Sequence, residues 1–90
     1  MANVIVTVKI MPTSPDVDMV KLKTAVEAKI ASFGGRVHST KEEPIAFGLV
    51  ALNCIILWNE AKDPDVIETE LAKVKNVNSV QTTDVRRALG

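Results

Sequence analysis

The chain has few of the residue types from which catalytic and metal sites are built. Its 90 residues include one cysteine, Cys54, and one histidine, His38. A single cysteine excludes a disulfide scaffold, a Cys-x-x-Cys redox site and a cysteine-rich zinc site, and a single histidine has no second histidine with which to hold a metal. We interpret Cys54 as a small buried residue and His38 as a surface residue, and we expect neither a metal nor a cofactor.

Aromatic residues and net charge are also scarce. Tyrosine is absent, two phenylalanines and one tryptophan are present, and eleven Lys and Arg balance eleven Asp and Glu. Proteins that bind single strands stack bases on aromatic rings, and nonspecific nucleic-acid or membrane binders carry excess positive charge. The apolar run 49–58 is too short to span a bilayer, and the N-terminus lacks the basic region of a signal peptide. We therefore expect a cytoplasmic protein that binds neither nucleic acid nor membranes, with residues 1–90 forming one domain.

Four segments have the residue pattern of β-strands. They are predicted at Asn3–Met11, Arg36–Glu43, Leu49–Trp58 and Val77–Arg87. Strict alternation gives the first segment one apolar face. The second is polar and charged, which is typical of an edge strand, whereas the third is apolar at nearly every position, which is typical of a central strand.

Two segments have the spacing of amphipathic helices. We predict helices over Pro15–Ser32 and Pro64–Lys75, each beginning at a proline that follows a capping residue, Ser14 or Asp63. Their apolar stripes consist of Met19, Leu22, Val26 and Ile30 in the first, and Ile67, Leu71 and Val74 in the second. The element order β-α-β-β-α-β, with both helices on one face of an antiparallel sheet, predicts an α+β fold of the ferredoxin-like type.

An apolar loop between the second and third strands is not explained by the core pattern. It contains Pro44, Ile45, Ala46, Phe47 and Gly48. Loops are usually polar, so an exposed aromatic here indicates a contact surface. The alternative, that Phe47 and Ile45 fold back onto the core, stays open because burial of an aromatic ring is worth several kcal/mol.

A second unexplained feature is the basic end of the last strand. Asp84 is followed by Arg86 and Arg87. Guanidinium groups can bind carboxylates or phosphates through paired donors. The alternative is a solvated end with no partner, since surface charges contribute little by themselves.

The two segments together resemble the translation elongation factor 1-beta family in its short archaeal form. Residues 43–49 read Glu-Pro-Ile-Ala-Phe-Gly-Leu, and residues 83–87 read Thr-Asp-Val-Arg-Arg. The resemblance covers essentially the whole chain and implies the ferredoxin-like fold. It also implies a guanine-nucleotide exchange factor, not an enzyme, whose partner is the GTPase elongation factor 1-alpha. The loop and the chain terminus would then face that GTPase.

One departure from the family concerns magnesium. A lysine near the C-terminus of the eukaryotic relatives is credited with displacing the ion, but this chain ends Arg86-Arg87-Ala88-Leu89-Gly90. The resemblance therefore offers only Arg86 or Arg87 as a substitute.

Two other classes of protein remain open. One is a regulatory domain of the same fold that binds a small molecule between protomers. The other is an acylphosphatase-like enzyme, which needs an arginine and an asparagine around a phosphate loop, and we find no such loop in the sequence.

Overall fold

The secondary structure follows the order expected from the sequence. A computed structural model describes residues 3–87. The strands are β1 (Asn3–Pro12), β2 (Arg36–Pro44), β3 (Val50–Asn59) and β4 (Val77–Arg87), and the helices are α1 (Met19–Ser32) and α2 (Asp65–Leu71). Each predicted strand boundary agrees with the structure to within one residue.

The four strands form one antiparallel sheet in the order β2-β3-β1-β4. The apolar strands β1 and β3 are central, and the polar strand β2 is at an edge, as their compositions predict. This arrangement, with two helices, confirms the ferredoxin-like α+β fold.

The core is a single apolar layer between the helices and one face of the sheet. It comprises Val6, Val8 and Ile10 of β1, Leu52, Cys54, Ile56 and Trp58 of β3, Leu22, Val26 and Ile30 of α1, and Ile67 and Leu71 of α2. Met19 and Val74 pack against it partly buried. Full burial of an aliphatic side chain of this size is worth about 1.5–3 kcal/mol, so this layer accounts for the placement of both helices.

The first helix begins four residues later than the sequence predicts. Its N-cap is Asp18, whose carboxylate accepts hydrogen bonds from the backbone N–H groups of Val20 (3.0 Å) and Lys21 (3.3 Å). Ser14 instead accepts a hydrogen bond from Asp16 N–H (3.3 Å) in a separate turn. The prediction of Ser14 as the cap was wrong because two successive capping sequences compete, and Asp18 lies directly before the apolar stripe.

The second helix is shorter than predicted at both ends. It covers Asp65–Leu71, after which the chain makes turns of the i→i+3 type as far as Asn76. Asn76 has φ 73°, the left-handed conformation expected of a residue that ends a helical segment. The last predicted turn is therefore present as a looser turn that leads into β4.

Candidate functional site

The loop between β2 and β3 is held in one shape by its own backbone. Ile45 N–H donates to the carbonyl of Leu49 at 2.7 Å, and Leu49 N–H donates to the carbonyl of Ala46 at 3.4 Å. The turn between them places Phe47 at φ 64° and Gly48 at φ 78°. Glycine adopts this conformation readily, but for phenylalanine a left-handed backbone costs about 1–3 kcal/mol. The loop therefore stores strain at its aromatic residue.

The side chain of Phe47 gains no burial in return for this strain. It is 94% exposed, whereas Ile45 beside it is half-buried. The possibility that Phe47 folds back onto the core is thus excluded by the structure. A Cβ built on Gly48 would lie 3.7 Å from Cβ of Pro15, so the loop rests against the β1–α1 turn and holds Phe47 out into solvent.

The last strand runs through both arginines and places them on opposite faces of the sheet. Arg86 lies opposite Ile5, and Arg87 lies opposite Val4. Arg86 Nε is 2.7 Å from Asp84 Oδ2, and Arg87 Nη2 is 3.0 Å from Glu60 Oε1. The guanidinium groups are therefore separately oriented, each by a different carboxylate. The remaining residues of the basic end, 88–90, lie outside the described residues.

A β-bulge decides which face receives Asp84 and Arg86. The register of β4 against β1 shifts at Thr83, whose hydroxyl donates to the carbonyl of Thr7 at 3.3 Å. Before the bulge, Thr82 faces the helices and donates to Glu68 of α2 at 2.7 Å. After it, the alternation is reversed, so Asp84 and Arg86 lie on the face that no helix covers. Redirecting side chains is a general effect of such bulges.

Packing around Trp58 fixes the turn that carries Glu60. The indole N–H of Trp58 donates to the carbonyl of Lys62 at 3.2 Å, and Lys62 Nζ donates to the carbonyl of Phe33 at 3.2 Å. Lys62 Nζ also lies 5.5 Å from the centre of the Trp58 ring, within range of a cation–π interaction. These contacts join the end of α1 to the β3–α2 turn and hold Glu60 within reach of Arg87.

The structure does not bring the loop and the arginines together. The loop adjoins the first residue of β3, Val50, whereas Arg86 lies across the sheet from Leu57 through Ile5. Val50 and Leu57 are seven residues apart along β3, and at about 3.3 Å per residue this places the loop and Arg86 about 23 Å apart along the strand direction. The long dimension of the molecule is 41 Å, so the two features lie toward opposite ends.

Two titratable features of the sequence remain to be placed in the structure, Cys54 and the neighbouring pair Glu42 and Glu43. Burial raises the pKa of the Cys54 thiol to about 12, so this cysteine stays protonated at neutral pH. Glu42 and Glu43 lie opposite Leu52 and Ala51, on opposite faces of the sheet. Within residues 3–87 no three His, Cys, Asp or Glu side chains are grouped to hold a metal ion, and no helix there is long and apolar enough to cross a bilayer.

A family model and the similar curated proteins all indicate the same protein family. The model of the EF-1 guanine nucleotide exchange domain matches residues 5–88. The chain is 41% identical over 90 residues to elongation factor 1-beta of Methanothermobacter thermautotrophicus, covering 99% of this chain and 100% of the relative. It is 44% identical to elongation factor 1-beta of Methanobrevibacter smithii, again over 99% of this chain and 100% of the relative. It is 37% identical to elongation factor 1-beta of Methanocaldococcus jannaschii, over 98% of this chain and 100% of the relative. The chain therefore belongs to the EF-1 guanine nucleotide exchange domain family, and its function is guanine-nucleotide exchange in translation elongation.

Proposed function

We propose that the chain releases GDP from elongation factor 1-alpha through two contacts at opposite ends of its sheet. One is the loop surface, defined as Pro44, Ile45, Ala46, Phe47 and Gly48. The other is the strand end, defined as Asp84, Arg86 and Arg87. The observation that carries the proposal is the 94% exposure of Phe47 on a loop whose backbone is strained to present it.

Exchange of this kind requires binding energy and no covalent chemistry. A protein that binds the nucleotide-free GTPase more tightly than the GDP-bound form must weaken GDP binding by the same factor. An aromatic anchor on a preformed turn suits this role because the backbone hydrogen bonds of the loop exist before binding, so less backbone entropy is lost on association.

The strand end supplies the charged contact in this proposal. GDP is held to a GTPase largely through magnesium and its phosphates. Arg86, oriented by Asp84 at 2.7 Å, presents a guanidinium group that can pair with a carboxylate or a phosphate of the GTPase. In this proposal Arg86 is the group that competes for the magnesium and phosphate region. The protein acts where translation takes place, in the cytoplasm.

The separation of the two contacts constrains the partner surface. A partner that touches both the loop surface and the strand end must span about 23 Å along the sheet. This length is typical of an interface of standard size rather than of a small-molecule site. A partner that engages both contacts is therefore a macromolecule and not the small regulatory ligand that the sequence left open.

The direct test is release of labelled GDP from elongation factor 1-alpha with excess unlabelled nucleotide, with and without the chain. We expect the chain to accelerate release at least tenfold, equivalent to about 1.4 kcal/mol. An equal concentration of the heat-denatured chain serves as the control. Equal release rates with and without the folded chain would refute the proposal.

A further inference from the structure

A row of directly paired residues across the four strands, here called a rung, carries an arginine at each end. Arg36 of β2 lies opposite Leu57, Leu57 lies opposite Ile5, and Ile5 lies opposite Arg86. Directly opposed residues of antiparallel strands share a face, so these four side chains are neighbours on one surface. Three strand spacings of about 4.8 Å place the two arginine Cα atoms about 14 Å apart.

This rung lies on the face of the sheet that no helix covers. The adjacent rung consists of Val37, Ile56, Val6 and Val85. Val6 and Ile56 are completely buried beneath the helices. Because successive rungs alternate between faces, the arginine-bearing rung belongs to the opposite, open face.

The middle of the open face is apolar at this level. Ile5 and Leu57 are half-buried although no helix covers this face. Ile55 extends the apolar area to the next rung on the same face. We call Ile5, Ile55 and Leu57, with Arg36 and Arg86 at their edges, the open-face patch. Its apolar centre between two cationic edges is typical of an interaction surface rather than of a solvated sheet face.

The charge of the patch indicates the chemistry of its partner. Arg86 is paired with Asp84, whereas Arg36 is exposed and makes no ion pair with any residue between 3 and 87. The patch has two guanidinium groups, and even with the neighbouring Asp84 carboxylate counted against them its net charge is positive. An arginine with free donors can bind a carboxylate through two parallel hydrogen bonds.

We propose that the open-face patch binds an apolar, carboxylate-bearing surface of elongation factor 1-alpha, with Arg36 pairing with the carboxylate. The inference rests on the proposed function and adds a residue to it, because Arg86 of the strand end belongs to the same rung. A second copy of the chain fits the patch less well. A two-fold axis through this face would set positive edges against positive edges, which is unfavourable.

The test is titration of nucleotide-free elongation factor 1-alpha with the wild-type chain and two Arg36 variants. Arg36→Glu should raise Kd at least tenfold, and Arg36→Lys should lie between it and the wild type, because lysine keeps the charge without the paired donors. Lys41→Glu is the matched control, since Lys41 is on the same strand and the same face at a different rung, opposite Asn53. It should change Kd less than twofold.

Thermal unfolding of each variant separates lost binding from lost folding. Folded Arg36→Glu with a wild-type Kd would overturn the inference while leaving the proposed function intact. If the wild-type chain itself neither binds the GTPase nor releases its GDP, the proposed function and the inference both fail. A wild-type dimer by sedimentation that Arg36→Glu dissociates would assign the patch to a second copy and also overturn the inference.

Discussion

The loop surface and the strand end hold their exposed side chains in different ways. Phe47 is presented by backbone geometry, through a left-handed residue between two backbone hydrogen bonds. Arg86 and Arg87 are oriented by ion pairs with side chains that are themselves partly exposed. Backbone constraint is insensitive to salt, whereas exposed ion pairs are screened by it. The comparison predicts that the two contacts respond differently to mutation and to ionic strength.

The largest effect is expected at the loop surface. Phe47→Ala should slow GDP release at least tenfold, because an aromatic anchor commonly dominates the energy of an interface. The melting temperature should change by less than about 2 °C, since the ring is 94% exposed and makes no core contact.

Val66→Ala is the matched control for Phe47→Ala. Val66 is an exposed apolar residue of α2, outside both proposed contacts. Its substitution should leave GDP release unchanged. If Phe47→Ala lowers the melting temperature strongly while exchange stays intact, the aromatic ring supports folding and not binding.

A smaller effect is expected at the strand end. Removing the chain from Arg86 onward should slow exchange about tenfold, or about 1.4 kcal/mol, while the sheet stays folded. The single substitutions should differ, because Arg86 is on the open face and Arg87 is directed toward Glu60. Arg86→Ala should reproduce most of the loss, and Arg87→Ala should reproduce little of it. Equal losses from the two would show that the face of the sheet is irrelevant.

The dependence on salt separates the two contacts. Raising the ionic strength from about 0.05 M to about 0.5 M should bring the exchange rates of wild type and Arg86→Ala together, because salt screens the charged contact. The ratio between wild type and Phe47→Ala should stay constant over the same range. A ratio for Phe47→Ala that falls with salt would mean that the loop surface also acts through charge.

The sequence predicts the fold well because its signals are local. Alternation in β1, the continuous apolarity of β3 and the polarity of β2 each specify a strand and its position in the sheet. The beginning of α1 is missed because Ser14 and Asp18 are both good caps, and only the packing of the apolar stripe chooses between them.

The candidate site is predicted only in part because it depends on register. Phe47 and the arginines stand out in the sequence, but their separation of about 23 Å follows only from the pairing of the strands. Arg36 is not found at all from the sequence, where it reads as one charge of a polar edge strand. The bulge at Thr83, which aligns Arg86 with Arg36, has no clear sequence signal.

The smallest effect concerns a polar cluster near the loop surface. Asn53 Nδ2 donates to Glu43 Oε1 at 3.1 Å, and this bond, with Lys9 Nζ at 3.7 Å, lowers the pKa of Glu43 below its usual value of 4.5. A lowered pKa in the folded state stabilises the fold above pH 4.5, and the stabilisation is lost as pH falls through the folded value. Between about pH 6 and pH 3, the melting temperature of wild type should fall slightly further than that of Glu43→Gln, and the difference should be small because the cluster is exposed. If the melting temperatures of the two chains fall by the same amount over this pH range, Glu43 has the same pKa in the folded and unfolded chains.

The most direct test of two separate contacts is a double-mutant cycle on GDP release from elongation factor 1-alpha. The rates are measured with wild type, Phe47→Ala, Arg86→Ala and the double variant. Residues this far apart, with no shared partner, should act independently, so the two losses expressed as free energies should add to within about 0.5 kcal/mol. A double variant no slower than the slower single variant would contradict the account, because the loop surface and the strand end would then act as one contact.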